Sequence, residues 1–133
     1  MPTQLRTVQL GDISLNDLSF VTTEGRDFAA LQSSIASCGL LQPPCLWRSQ
    51  QGEPWVIVCG YLRLQAVRNL GWQELSAWVF DCDTSYAHLI ECALQDNLPH
   101  RIFNPVEIAH ALQRLIACFP RNVVISEWLP RFG

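Results

Sequence analysis

Lysine is absent from this chain: all nine basic side chains are arginine, against twelve acids, for a net charge of −3. That balance argues against gripping duplex DNA by general electrostatics, which normally takes a basic face, and leaves a local patch open. It leaves room for discrete contacts, because arginine's planar fork can bind a phosphate or carboxylate through two parallel hydrogen bonds. A small phosphorylated ligand suits this chain better than a long polyanion. The six cysteines include no Cys-x-x-Cys pair, which excludes the usual zinc-finger and thioredoxin-type patterns. Cys59, Cys92 and Cys118 fall where apolar residues belong and read as reduced core thiols. A zinc site built from Cys82, His88 and Cys92 is the minor alternative. No apolar run approaches the length of a membrane span, and the first residues show no basic segment followed by an apolar stretch. A cytoplasmic location and no membrane partner are therefore expected.

What is present is a hydrophobic content of 49%, in a length that suits one domain with a real core. Residues 6–10 alternate as a short strand with Val8 and Leu10 on one side, and Ile13 to Leu18 reads as a connection. Asp27 can cap a helix bearing Phe28, Leu31 and Ile35 inward, with Gly39 as its stop. Pro43-Pro44 leads into a strand at Cys45-Leu46-Trp47, and Gly52 turns a hairpin into the apolar strand Trp55–Cys59. A helix with Leu62, Ala66 and Leu70 inward follows, then a strand over Ser76–Phe80. The next helix carries Ala87, Leu89, Ile90, Ala93 and Leu94 and ends before Asp96. A last helix runs from Pro105 to about Cys118 with Ala109, Leu112, Leu115 and Ile116 inward. Trp55 and Trp78 lie in strands, as core or sheet-face residues. The expected class is a small α+β domain with a mixed sheet and packed helices.

Two segments carry chemistry. In Val56 to Ala66 a β-branched run ends at Gly60, where the backbone can turn sharply and approach a ligand. Arg63 sits in the first turn of the following helix, placed to fork onto an anion beside the helix N-terminus. Asp96 to Ala109 puts an acid, an amide, a histidine and an arginine in a turn before a helix. Asn104 is its N-cap, Pro105 its first residue, and Glu107 reaches back as in a capping box. Such a helix start beside cationic and metal-binding side chains suits phosphate.

With Arg26-Asp27-Phe28 and the stretch Ser34 to Pro43, these segments resemble three boxes of the ParB/sulfiredoxin-like superfamily, in family order over roughly residues 5 to 118. The resemblance implies a ParB-like N-terminal domain over 1–119, with 120–133 opening a helical region of a longer protein. It implies a nucleoside triphosphate, CTP foremost, held with Mg2+ between the Gly60–Arg63 turn and the Asp96–Arg101 turn. Gly60 and Arg63 would meet phosphate, and His100, in register with a family arginine, and Arg101 would add contacts. Asp96 and Asn97 would meet the metal. Arg26, Gly39 and Gln42 would line the base or far end of the pocket. Tyr61 and Leu62 replace an acid and an arginine of the second box. Tyr61 could stack on a base, although packing is the favoured reading. The implied protein binds DNA through segments beyond this one, forms a homodimer at full length and works with a partner ATPase in chromosome or plasmid partition or transcription regulation, at the nucleoid. The competing readings are a metal-dependent nuclease, NTP hydrolase or small-molecule phosphotransferase, with His100 or Glu107 as base, and a scaffold that binds no nucleotide. Tyr61 also stands where sulfiredoxins carry their reactive cysteine, so that chemistry is not expected.

Overall fold

The computed structural model describes residues 4–21, 29–97 and 104–132. Arg26, the Asp27 cap and residues 98–103 lie outside the described residues. The chain divides into two compact units, with the boundary in sequence between Thr84 and Ser85.

The first unit contains β1 (Gln4–Gln9), a 3-10 turn (Leu10–Asp12), β2 (Ile13–Ser14), α1 (Ala29–Cys38), β3 (Cys45–Trp47), β4 (Trp55–Cys59), α2 (Tyr61–Asn69) and β5 (Glu74–Val79). Its five strands form one sheet in the order β1-β5-β3-β4-β2. The sheet is mixed, as expected. β1 with β5 and β3 with β4 are antiparallel, whereas β3 with β5 and β2 with β4 are parallel. The hairpin between β3 and β4 turns at Gly52, whose φ of +92° few other residues adopt. Gly39, at φ +80°, closes α1 with its N–H on the Ile35 carbonyl at 2.8 Å.

β5 alternates strictly, with Leu75, Ala77 and Val79 buried and Trp78 on the outer face at 38% exposure. Those inward residues join Val8, Leu46, Trp55 and Ile57 from the other strands, and Ile35, Leu64, Ala66 and Val67 from the helices. Two expectations are corrected here. Ile13–Ser14 is not a connection but a short strand parallel to Trp55–Val56, anchored by buried Ile13. The buried face of α2 is Leu64, Ala66 and Val67, and Leu62 and Leu70 are only partly covered. Apolar residues surround this helix, so periodicity alone did not select the stripe.

The second unit is helical: α3 (Tyr86–Asn97), α4 (Pro105–Cys118), α5 (Arg121–Val123), a π-helical turn (Val124–Trp128) and a 3-10 turn (Leu129–Phe132). The Ser85 hydroxyl accepts the His88 N–H at 3.2 Å and so starts α3, whose Leu89, Ile90, Ala93 and Leu94 are buried. α3 continues through Asn97, so Asp96 and Asn97 close a helix and do not sit in a turn. No strong breaker precedes Pro99, and Gln95, Asp96 and Asn97 tolerate helix. The buried face of α4 is Glu107, Ala111 and Leu115. Ala109 and Ile116, expected inward, face solvent. Among the described residues no helix is long and apolar enough to cross a membrane.

The cysteines differ in reactivity. Burial raises the Cys118 thiol from its ordinary pKa and keeps it protonated, and Cys59 is buried while Cys38 and Cys82 are exposed. Iodoacetamide at pH 8, followed by peptide mass spectrometry, is expected to label Cys38 and Cys82 well before Cys59 and Cys118, since only an accessible thiolate reacts.

Candidate functional site

At the C-terminal end of β4 the chain passes through Gly60 and enters α2. Gly60 is the N-cap of α2 at φ +91° and ψ 30°, in the left-handed region, and no side chain caps the helix. Its carbonyl accepts the Leu64 N–H at 3.0 Å, the first bond of the helix. The first-turn N–H groups of α2 have no intrahelical acceptor, which leaves a partial positive charge at this end.

Two groups crowd Gly60. A Cβ placed there would lie 2.9 Å from the Pro44 Cβ and 3.1 Å from Arg63 Nη2. Pro44 is fully buried. The Arg63 side chain therefore folds back across its own helix start, over the bare Cα of the glycine. Its Nη1 donates to the Gln42 carbonyl at 2.8 Å. This contact ties the loop before β3 to the turn after β4. Glycine is required for three reasons at once: the positive φ, the Pro44 wall and the room taken by the guanidinium.

Of the expected site residues, the structure thus brings Gln42, Gly60 and Arg63 together. Gly39 serves as the stop of α1. Tyr61 packs partly buried against the core, and its hydroxyl accepts the Gln65 Nε2 at 2.6 Å. Packing, the favoured reading of Tyr61, is the observed one. Sequence reasoning missed Pro44 as the wall under Gly60; the double proline was visible but read only as an extended lead into β3.

In the second unit the capping box is complete. The Asn104 side chain accepts the Glu107 N–H at 2.9 Å, and Glu107 Oε1 accepts the Asn104 N–H at 3.0 Å. Pro105 stands at the first helical position. Glu107 is wholly buried, so its carboxylate serves the cap. Asp96 and Asn97 are placed only as helix backbone, and His100 and Arg101 lie outside the described residues. His88 Nε2 and Cys92 Sγ, two of the zinc candidates, meet at 3.5 Å across one turn of α3. Among the described residues no group of three or more His, Cys, Asp or Glu side chains is placed to hold a metal ion. Burial lowers the pKa of Arg114 on α4, with Tyr86 partly offsetting it, and the group stays cationic at any physiological pH.

A curled five-stranded mixed sheet in which β4, next to the edge, runs through a glycine into a helix bearing arginine in its first turn defines the α+β class of ParB N-domains. Solved structures share this fold. The pNOB8-like ParB-N domain superposes with a TM-score of 0.68 at 18% identity, over 93% of this chain and 50% of that one. The C-terminally truncated ParB of Caulobacter crescentus, solved with CTP-gamma-S, does so with a TM-score of 0.61 at 22% identity, over 86% of this chain and 63% of that one. The chain belongs to the ParB N-terminal domain family, whose model matches residues 2–98. It is 33% identical over 86 residues to the probable chromosome-partitioning protein ParB of Campylobacter jejuni, covering 65% of this chain and 30% of the relative. It is 27% identical over 115 residues to the nucleoid occlusion protein of Bacillus licheniformis, covering 85% of this chain and 40% of the relative. The chain therefore spans well under half the length of these curated relatives.

Proposed function

We propose that this domain is the nucleotide-responsive part of a ParB-like DNA-binding protein of chromosome or plasmid partition, or of transcription regulation. The Gly60–Arg63 turn takes the phosphates of a nucleoside triphosphate, with CTP as the first candidate. The observation that carries this reading is the placement of the Arg63 guanidinium over Gly60 at the uncapped start of α2. A forked cation and a set of N–H groups share one small region there, which is the donor set a phosphate needs. The CTP analogue in the Caulobacter crescentus neighbour supports CTP as the nucleotide to try first. Mg2+ would be held largely by water and the phosphates, supplying charge neutralisation. Asp96, Asn97, His100 and Arg101 enter from sequence alone, each open to test by its own alanine variant. DNA binding by further segments, a full-length homodimer, a partner ATPase and association with the nucleoid complete the proposal.

One observation favours a second reading. Arg63 already has an acceptor in the Gln42 carbonyl, so it also serves as a strut between two loops, as it would in a scaffold that holds no nucleotide. Calorimetric titration with CTP, ATP and GTP, with and without Mg2+, separates the two. The nucleotide reading expects metal-dependent binding of one triphosphate, weakened about tenfold or more by Arg63→Ala, since a charge-assisted hydrogen bond contributes about 1.5–3 kcal/mol. The scaffold reading expects no binding by either protein, and a lower melting temperature for Arg63→Ala.

A further inference from the structure

Trp55 opens β4 at the end opposite Gly60. It is 5% exposed and closes that end of the core. Two guanidinium groups lie over its ring, with Arg48 Cζ 3.9 Å and Arg6 Cζ 5.4 Å from the centroid. The two cations are thus no further apart than the sum of those distances. Arg6 is the more unusual of the pair. Along β1 it alternates in step with Val8, and its cross-strand partner is the fully buried Ala77. Arg6 thus shares the Val8 side of an edge strand but is itself exposed, at the open end of the core.

Like charges brought together on one indole repel each other. Among the described residues neither Arg6 nor Arg48 has an ion-pair partner. A guanidinium stacked on an aromatic ring uses its flat face and keeps its N–H donors around the rim. Both arginines border a cavity of about 300 Å3, also lined by Gln4, Gln50 and Asp81. Among the described lining residues two arginines stand against one aspartate, a local positive excess on a chain of net charge −3. The glutamine amides add neutral donors and acceptors. The volume lies at the small end of the range for ligand pockets and is far too small for a duplex.

We infer that this cavity is a second binding site, separate from the Gly60 turn, for a small polyanionic molecule bearing phosphate or carboxylate groups. Arg6 and Arg48 clamp the anionic groups, Trp55 fixes the two guanidiniums, and the amides meet the remainder of the ligand. The inference stands independently of the nucleotide reading.

The test is an NMR titration of the 133-residue chain, following the Trp55 indole N–H, assigned by its loss in Trp55→Phe. Pyrophosphate and citrate are the probes, with sodium chloride at matched ionic strength as control. The expected result is a saturable shift with at least one probe and none with chloride, and the probe that binds tells phosphate from carboxylate. Arg6→Gln and Arg48→Gln should each weaken binding about tenfold or more, Arg6→Lys and Arg48→Lys less, and Arg63→Ala not at all. Identical linear shifts with all three salts would overturn the site. So would saturation that persists unchanged in the two glutamine variants. The wild-type titration decides even where a variant folds poorly.

Discussion

Replacing Gly60 with alanine is expected to destabilise the first compact unit by about 3 kcal/mol, a large share of the stability of a small domain. Two costs combine. A left-handed residue with a Cβ costs about 1–2 kcal/mol, and Gly60 is held at φ +91°. The added methyl also meets the Pro44 Cβ at 2.9 Å, and that ring is buried and rigid. Overpacking of this kind costs about 1–3 kcal/mol. The contact with the Arg63 tip costs less, because a flexible side chain can swing away, but the swing breaks its bond to the Gln42 carbonyl. Gly52→Ala is the control. Gly52 has φ +92° and nothing within 4 Å of its Cβ position, so only the backbone cost applies, at about 1 kcal/mol. Urea denaturation of the two variants measures the difference, which is the Pro44 term. Equal destabilisation would show that the Pro44 wall yields.

How far the sequence revealed this site depends on whether each feature is local. The Gly60 turn was legible because a β-branched run, one glycine and a helical pattern lie within a dozen residues. The Asn104–Glu107 box was legible for the same reason, as both partners lie within one turn. The Arg63–Gln42 bond was not legible. It joins residues 21 apart, and nothing in either residue type names the other. β2 escaped notice because a two-residue strand has no period of its own and exists through pairing with Trp55 and Val56. The inner stripes of α2 and α4 were partly misplaced because apolar residues also lie outside the buried stripe, Leu62 and Leu70 on α2 and Ala109 and Ile116 on α4. In α4 one of the fully buried positions, beside Ala111 and Leu115, is a glutamate, which a hydrophobic count assigns to solvent. The cavity at Trp55 was also hidden, since Arg6 lies on β1, Arg48 just after β3 and Trp55 on β4, and nothing in the residue types joins them.

Glu107 offers the other large effect, and it separates two roles for one carboxylate. Glu107→Ala removes the acceptor of the Asn104 N–H, shortens a fully buried side chain and opens a cavity at the start of α4. A lost cap contributes about 1 kcal/mol, and the cavity with the uncompensated donor adds about 1–3 kcal/mol. The expected loss is therefore about 2–4 kcal/mol, read from the denaturation midpoint. Glu107→Gln keeps an oxygen for the same N–H, and glutamine serves in the capping box. Its expected cost is under about 1 kcal/mol, within the range of a retained neutral hydrogen bond. The pair also tests the candidacy of Glu107 as a general base. A base needs its carboxylate, so Glu107→Gln would abolish any metal-dependent nucleotide turnover while the fold stayed intact. A cap needs only the acceptor, so turnover would survive in Glu107→Gln and fall only where the helix start is lost. Complete burial and engagement with the Asn104 N–H favour the second pattern.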